Sequence, residues 1–323
     1  MEFRILGGTG ICVSVLGFGC GSIGGLFVRG TRQAQRRAVE VALEGGINYF
    51  DTAGQYGDGV SEENLGSVLR ELGAAVLVGT KVLLTPGDLP AATSVLRTKL
   101  ERGLRRLQLD RVDVVTLHSR LGAAPGALRA RDVTGRVAAA MHEIVEAGLA
   151  TAVGFTGLGD TKDILEVARC GHFDSFQCYF NLLNPSAAEP GSPDGVAQDF
   201  GGVLAVATGA GLGSFCVRVL AGGALSGREE RHELARTPGS AMAEGGDYAD
   251  DVRRARVIRS QLRTVPELSL PALALRYALG ERRFSSVLVG FSDAADVRRA
   301  LAWEASGALP PSLFAPGRRI PPG

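Results

Sequence analysis

Short apolar runs alternate with amphipathic segments along nearly the whole chain, and this order constrains the fold more than any other feature. Eight runs have the length and side chains of buried strands, at 13–20, 47–50, 75–82, 112–117, 150–155, 175–179, 212–217 and 286–289. Between them lie segments with helical spacing, at 31–44, 61–72, 93–107, 135–147, 161–170, 195–210, 250–262, 270–279 and 293–303. Strands that alternate with helices predict a parallel sheet.

Eight such strands favour an α/β fold of the (β/α)8 TIM-barrel type over the alternative of a doubly wound sheet. The length of 323 residues suits one barrel, and no interior linker divides the chain, so we expect a single domain over 1–323. The segment 3–14 predicts an N-terminal β-hairpin, and its Gly-rich turn is a poor dinucleotide fingerprint because no helix follows it. Long loops are expected at the C-terminal face of the barrel, at 120–134, 184–194 and 226–248.

Local signals mark the faces and ends of some helices. Leu96, Leu100, Leu104 and Leu107 recur every three or four residues in the segment 93–107, which predicts one buried helix face. Ser61 stands at the start of the segment 61–72, where a serine side chain is a plausible N-cap.

Composition and charge argue against several classes of partner. The formal net charge of +1 at pH 7 argues against nucleic acid. No apolar run reaches the roughly 18 residues of a membrane-spanning helix, and no secretory signal is evident at the start. We therefore expect a cytoplasmic protein that does not engage a membrane. The five cysteines show no CxxC spacing, so they predict small buried thiols and no metal site. They are Cys12, Cys20, Cys170, Cys178 and Cys216.

Four polar residues stand at or just past the C-terminal ends of three apolar runs. Asp51 and Tyr56 follow the first of these runs. Lys81 and His118 stand near the ends of the next two. Parallel strands with short loops bring such ends together at one mouth. Because a lysine ammonium favours the phenolate, we expect Lys81 to lower the Tyr56 pKa from its usual value of about 10. Together the four predict a proton donor for a carbonyl that receives hydride.

These four residues and their flanks resemble the aldo-keto reductases. Several motifs fall in the order and spacing of that family, from about residue 4 to about residue 303. The matching stretches are 50–53 (Phe-Asp-Thr-Ala) with Tyr56, 61–66 (Ser-Glu-Glu-Asn-Leu-Gly), 79–81 (Gly-Thr-Lys), 117–118 (Leu-His), 154–156 (Gly-Phe-Thr), Gln177 with Tyr179 and Asn181, 220–227, and 288–290 (Leu-Val-Gly).

The resemblance implies a role for each of the four residues. Tyr56 would be the acid–base, Lys81 would tune its pKa, and Asp51 would position Lys81. His118 would orient the substrate carbonyl. Hydride would come from a nicotinamide, because no side chain can supply it. The resemblance therefore implies an NAD(P)-dependent oxidoreductase that acts on a small-molecule aldehyde, ketone or aldose sugar.

The resemblance also implies a set of cofactor-binding residues. Thr156 and Gln177 would hold the nicotinamide carboxamide, and Arg218, Leu220 and Gly222 belong to a segment over the pyrophosphate. Gly290, Ser292 and Arg298 lie where the last strand meets a helix N-terminus that suits a phosphate. Gly21 completes the set.

Several alternatives stay open at the level of sequence. Position 292 carries no basic residue, although Arg298 and Arg299 lie one turn further on, so NADP(H) and NAD(H) are both candidate cofactors. The stretches 220–227 and 288–290 look closer to bacterial aldose or galactose dehydrogenases, so either reaction direction is open. A regulatory or binding protein on the same barrel, like the potassium-channel β subunits, is the alternative class. The sequence leaves the oligomeric state undetermined.

Overall fold

The computed structural model describes residues 1–191, 198–228, 230–235, 247–261, 268–307 and 309. Within them the strands are β1 (Phe3–Ile5), β2 (Cys12–Ser14), β3 (Leu16–Gly19), β4 (Tyr49–Asp51), β5 (Leu77–Val82), β6 (Val112–Leu117), β7 (Ala150–Thr156), β8 (Ser175–Tyr179), β9 (Gly213–Val217) and β10 (Ser286–Gly290). Strands β3 to β10 are parallel and close into a barrel in chain order, with β10 beside β3. The prediction of a (β/α)8 barrel is confirmed.

Helices cover the outside of the barrel. They are α1 (Leu26–Arg29), α2 (Arg32–Glu44), α3 (Val60–Leu72), α4 (Ala92–Leu107), α5 (Ala130–Asp132), α6 (Ala138–Glu146), α7 (Thr161–Arg169), α8 (Val203–Gly209), α9 (Tyr248–Gln261), α10 (Leu270–Gly280) and α11 (Ala294–Ala305). In α4 the four leucines at helical spacing are all buried, as the pattern predicts. Truncating a buried leucine to alanine typically costs about 2–5 kcal/mol, so this face anchors α4 firmly.

The predicted N-terminal hairpin closes the end of the barrel where the strands begin. β1 pairs antiparallel with β2, and Arg4 lies opposite Val13. Leu6 follows β1, is fully buried, and packs against the start of β9, where a Cβ added to Gly213 would lie 2.4 Å from the Leu6 side chain. The opposite mouth, where the strands end, remains available for a site.

The barrel interior is filled by side chains from alternate strand positions. Tyr49 and Phe215 stack there with ring centroids 4.7 Å apart. Gly79 faces the same interior, where an added Cβ would lie 2.0 Å from the Tyr49 hydroxyl oxygen, so only glycine fits. Because side chains alternate along a strand, Phe50 points outward and stacks on Phe18 beneath the helices. Asp51 then points inward at the mouth.

The sequence-based start of α3 is wrong. Gly59, with φ of 92°, is the N-cap, and Ser61 lies inside the first turn. The Ser61 hydroxyl donates to the Cys20 carbonyl oxygen at 2.9 Å and lies 2.9 Å from Thr52 Oγ1. The Ser61 hydroxyl therefore connects α3 to the residues that follow β3 and β4, and it does not cap the helix.

The larger of the remaining differences from the sequence prediction concern two segments. The segment 195–210 is helical only in α8, because the preceding Gly201 and Gly202 have φ of 60° and 67°; residues 195–197 lie outside the described residues. The loop predicted at 120–134 contains α5 and continues into a π-helical turn at Val133–Val137, so the helix predicted at 135–147 becomes regular only in α6. The loops predicted at 184–194 and 226–248 lie partly outside the described residues.

Candidate active site at the C-terminal mouth of the barrel

The four predicted catalytic residues meet at one mouth of the barrel. Asp51 ends β4 and lies in register with Gly79, and Lys81 follows on the same strand β5. Tyr56 lies in the loop after β4, and His118 directly follows β6. Asp51, Tyr56 and His118 line one cavity, whereas Lys81 is 3% exposed and lies behind them.

Lys81 is held by a compact set of hydrogen bonds. Its ammonium group donates to Asp51 Oδ2 and, at 2.9 Å, to the Thr52 carbonyl oxygen. Gln177 Nε2 donates to Asp51 Oδ1 at 2.7 Å, so both carboxylate oxygens are engaged. The ammonium nitrogen lies 4.9 Å from the centroid of the Tyr56 ring. Asp51 thus fixes a cation against the phenol.

The Tyr56 phenol retains its proton at neutral pH. Burial raises the pKa of Tyr56, and the Lys81 cation lowers it. The expectation that Lys81 brings the Tyr56 pKa below its usual value is corrected here, because the loss of solvation of the phenolate outweighs the attraction of the cation. Burial alone lowers the Lys81 pKa, but Asp51 and Tyr56 outweigh burial and raise the pKa of Lys81, so the cation persists.

His118 is neutral at pH 7. Burial and the nearby Lys81 cation lower the pKa of His118 to about 3. Its Nδ1 lies 3.0 Å from Thr156 Oγ1, and its ring meets the Tyr56 ring edge-on with centroids 6.4 Å apart. A neutral imidazole has one donor and one acceptor nitrogen, so the contact with Thr156 orients a hydrogen-bonding ring at the cavity wall without adding charge.

A buried ion pair supports the loop that carries Tyr56. Glu62 is 1% exposed, and its carboxylate accepts hydrogen bonds from Arg106 Nε at 2.8 Å and Thr80 Oγ1 at 2.5 Å. Residues 57–59 all have positive φ, at 63°, 54° and 92°. A Cβ added to the last of them would lie 2.6 Å from Arg106 Nε, so the guanidinium packs directly against this turn.

Sequence reasoning missed Arg106 as part of the site. Glu62 stands in the motif 61–66, but no pattern along the chain pairs it with a residue 44 positions later. Only the packing of α3 on α4 brings the two side chains together.

The cavity has a volume of about 520 Å³ and extends from the mouth of the barrel to α11. Val217 at the end of β9 and the segment after β9, which begins with Arg218 and includes a 3₁₀ turn at Ala221–Ser226, form one side. The end of β10 and the first turns of α11 form the far end, where Trp303 also contributes. An elongated ligand therefore has room to reach from Tyr56 to α11.

The structure brings all but one of the predicted cofactor residues to this cavity. The lining ones are Gly21, Thr156, Gln177, Arg218, Leu220, Gly222, Gly290 and Ser292. Arg298 is exposed and lies outside the cavity wall formed by the described residues, whereas Arg299 belongs to that wall. Consecutive helix positions point about 100° apart, which explains why neighbouring arginines differ.

The cavity wall is also rich in cations that sequence reasoning did not assign to it. Guanidinium groups pair well with phosphate oxygens, so this wall fits an anionic dinucleotide. The arginines come from the segment after β9, from α9 and from α11, which no motif links. The unassigned ones are Arg228, Arg231, Arg256 and Arg259, and they stand beside Arg218 and Arg299, which the sequence analysis had named.

Other expectations concern metals, membranes and thiols. In the described part of the chain, no three His, Cys, Asp or Glu side chains are placed to hold a metal ion. The described helices include none long and apolar enough to cross a membrane. Cys20, Cys178 and Cys216 are buried and Cys170 is half-buried, but the expectation of a buried thiol is wrong for Cys12, which is exposed on the short hairpin strand β2.

Comparison with known structures gives extensive matches, among them two aldo-keto reductases. An aldo-keto reductase from Bacillus halodurans, in its holo form, superposes with a TM-score of 0.73 at 24% identity, over 97% of this chain and 93% of that one. An aldo-keto reductase from Klebsiella pneumoniae in complex with NADPH gives a TM-score of 0.68 at 21% identity, over 100% of this chain and 97% of that one. At these identities the matches support the fold.

Comparison of sequences supplies the family. L-galactose dehydrogenase of Arabidopsis thaliana is 28% identical over 309 residues, which are 94% of this chain and 88% of that protein. The aldo-keto reductase YhdN of Bacillus subtilis is 32% identical over 161 residues, which are 48% of this chain and 46% of that protein. The model of the Aldo/keto reductase family matches residues 15–312. Because that match spans the barrel and the cavity at its mouth, the chain belongs to the aldo/keto reductase family.

Proposed function

We propose that the chain is an NAD(P)-dependent oxidoreductase that interconverts a small carbonyl compound and its alcohol. The observation that carries the proposal is the buried Lys81 ammonium 4.9 Å from the centroid of the Tyr56 ring, beside a cavity that His118 also lines. Members of this family use NAD(P)H, and the Klebsiella neighbour was solved with NADPH. The relative named L-galactose dehydrogenase makes an aldose a candidate substrate beside aldehydes and ketones.

The proposed chemistry assigns one step to each of the four residues. A bound nicotinamide supplies or accepts the hydride. In reduction, Tyr56 Oη gives its proton to the carbonyl oxygen, since its raised pKa keeps it protonated at neutral pH. Lys81 stabilises the phenolate that remains, and Asp51 holds Lys81 in place. In oxidation the same phenolate removes the alcohol proton. Neutral His118 orients the substrate oxygen through a hydrogen bond.

The wall of the cavity would hold the dinucleotide along its length. Thr156 and Gln177 lie next to the catalytic residues and would contact the carboxamide. Arg218, Leu220 and Gly222 line the segment after β9 and would face the pyrophosphate. Arg218 adopts a left-handed conformation with φ of 63°, and its guanidinium lies 5.2 Å from the centroid of the Tyr179 ring. The carbonyl oxygen of Arg218 accepts a hydrogen bond from Asn181 at 2.9 Å, which ties this segment to the chain after β8.

The experiment that tests the proposal follows nicotinamide absorbance with purified protein, NADPH or NADH, and a panel of aldehydes, ketones and aldoses. We expect turnover by the wild type and a loss of about 10²–10⁴-fold in Tyr56→Phe, because proton transfer is typically worth that much. Cofactor affinity should stay close to the wild-type value, since the substitution removes one hydroxyl. A protein that binds cofactor without turning over any carbonyl or alcohol would instead fit the regulatory alternative.

The matched control is Tyr277→Phe, which removes a phenol from α10 outside the cavity wall formed by the described residues. Its activity should remain close to that of the wild type. Retention of activity within about threefold in Tyr56→Phe would assign the proton to another group, because general acid–base catalysis is worth far more than that.

A further inference from the structure

A cluster of ion pairs between side chains of this protein forms the far end of the cavity. Asp296 lies in the first turn of α11, and its carboxylate accepts a hydrogen bond from Arg228 Nη2 at 3.0 Å and another from Arg299. The same carboxylate accepts a bond from the backbone N–H of Ser292 at 3.2 Å. We refer to Asp296, Arg228, Arg299 and Ser292 as the Asp296 cluster; all four line the cavity.

The Asp296 cluster is an anion site that the chain fills with its own carboxylate. Two guanidinium groups and a backbone N–H just before α11 form the donor set that suits a phosphate group. Here one carboxylate takes hydrogen bonds from all three. A ligand phosphate that used these donors would have to displace Asp296 or lie against its negative charge.

The position of the cluster indicates which part of a dinucleotide it would meet. The inference rests on the proposed function, which puts the nicotinamide beside Tyr56 and His118. The remainder of the dinucleotide must then follow the cavity past the segment after β9 and end at α11, where Trp303 and the Asp296 cluster form the wall. The ribose distant from the nicotinamide therefore comes to lie beside Asp296. NADP(H) differs from NAD(H) by one phosphate on that ribose.

We propose that Asp296 determines how strongly this protein distinguishes NADP(H) from NAD(H), because its carboxylate competes with the ribose 2′-phosphate for Arg228 and Arg299. A ribose 2′-hydroxyl carries no charge and donates a hydrogen bond to a carboxylate, so NAD(H) meets no such competition. Asp296 thus weakens the selection for NADP(H) that the two arginines would otherwise give.

The test is Asp296→Asn, which keeps the size of the side chain and removes its charge. Dissociation constants for NADPH and NADH are measured by nicotinamide fluorescence. The same constants for adenosine 2′,5′-bisphosphate and adenosine 5′-monophosphate are measured by calorimetry. The last two differ only by the 2′-phosphate and need no catalysis. We expect the preference for the 2′-phosphorylated member of each pair to rise about tenfold, a change that corresponds to about 1.4 kcal/mol.

Two sets of variants distinguish competition for the two arginines from a general effect of removing one negative charge near the cavity. Asp293→Asn removes an equal charge one turn away, where the carboxylate caps α11 and lies 3.9 Å from His232 Nε2; asparagine caps a helix equally well. Its effect on the preference should stay below about twofold, since it does not bond the two arginines. Adding both Arg228→Ala and Arg299→Ala to Asp296→Asn should abolish the gain. Circular dichroism confirms that each variant is folded.

The possible results test the role of Asp296 and the proposed function separately. If neither dinucleotide binds the wild type, both the proposed function and the role of Asp296 are wrong. If both bind but Asp296→Asn changes the preference by less than about twofold, or by no more than Asp293→Asn does, only the role of Asp296 is overturned. A gain that survives removal of both arginines would also overturn it, because competition for those two groups would not be the cause.

Discussion

The two ends of the cavity are built in different ways. At the proposed catalytic end, Asp51 and Lys81 come from neighbouring parallel strands, and the Lys81 side chain is 1% exposed. At the far end, the Asp296 cluster joins a helix to a segment that follows a strand, and the side chains of Arg228 and Arg299 are 41% and 43% exposed. The barrel backbone thus fixes the first set, whereas solvent-accessible ion pairs hold the second.

Under the proposed function, this difference separates the residues that carry the chemistry from those that recognise the cofactor. Breaking a buried ion pair by removing one partner typically costs about 3–5 kcal/mol, whereas an exposed pair contributes about 0–1 kcal/mol. Charges near the surface are also screened over about 8 Å at physiological salt. Substitutions at the catalytic end should therefore change rate and stability together. Substitutions at the far end should change ligand affinity in a salt-dependent way and leave stability nearly unchanged.

The largest effect is expected from Lys81→Met. The substitution leaves the Asp51 carboxylate buried without its cation, so the free energy of unfolding should fall by about 3–5 kcal/mol. It also removes the charge that favours the phenolate, so the Tyr56 pKa should rise further. Under the proposed mechanism oxidation needs the phenolate, so it should then begin at higher pH than in the wild type, and reduction should persist to higher pH. Chemical denaturation and pH–rate profiles in both directions measure these changes.

Lys99→Met is the matched control for Lys81→Met. Lys99 pairs with Asp88 at 3.2 Å, but its side chain is 37% exposed and lies outside the cavity wall of the described residues. Its loss should cost no more than about 1 kcal/mol and leave the pH profile in place. An unshifted pH profile in Lys81→Met would show that the lysine is only a structural ion pair.

A smaller effect is expected from Arg106→Met, which tests whether the turn after β4 must be held rigid. Because the Arg106 side chain is 26% exposed and Glu62 keeps Thr80 as a partner, the cost should be lower than for a fully buried pair, at about 1–3 kcal/mol. The turn at residues 57–59 would lose the guanidinium packed against it, so kcat should fall while cofactor affinity stays close to wild type. The pH profile should keep its midpoint, since Lys81 is untouched.

Arg102→Met provides the comparison for Arg106→Met, because Arg102 is exposed on the same helix α4. It should leave stability within about 0.5 kcal/mol of the wild-type value. If Arg106→Met lowers stability without lowering kcat, the ion pair with Glu62 serves the fold alone and does not position Tyr56.

The catalytic end follows from the sequence because strand order carries most of the information. Each of its four residues stands at or just past the end of an apolar run, and parallel strands leave such ends only one common mouth. The net pKa of Tyr56 does not follow in the same way. It depends on how far burial outweighs one nearby cation, and burial is a property of the packed site. Glu62 and Arg106 meet only through helix packing, which leaves no periodic pattern in the sequence.

The far end is much less accessible from sequence. A motif placed Ser292 beside the cofactor, and the structure shows its hydroxyl donating to the Gly24 carbonyl oxygen at 2.8 Å, inside the protein. The position of Asp296 depends on the rotation of α11 about its axis, and Arg228 reaches it from a segment that no motif connects to that helix. Tertiary packing sets the rotation of α11 and the course of the loop. A motif along the chain therefore could not tell whether Arg298 or Arg299 faces the cavity.

The smallest effect is expected from the two arginines of α11, compared directly. Arg299 lines the cavity and bonds Asp296, whereas Arg298 is exposed outside the described cavity wall. Since Asp296 already engages Arg299, Arg299→Ala should weaken NADPH binding by only about three- to fivefold, or 0.7–1 kcal/mol, as expected for a partly solvated ion pair. Arg298→Ala should change NADPH affinity by less than about twofold, because its guanidinium meets mainly solvent.

Fluorescence titrations at 50 and 300 mM salt measure NADPH affinity in both variants, and the effect of Arg299→Ala should shrink at the higher salt as screening increases. A larger loss in Arg298→Ala than in Arg299→Ala would mean that the helix presents the other face to the cofactor. Arg298, and not the ion pair between Arg299 and Asp296, would then be the group of α11 that recognises the cofactor.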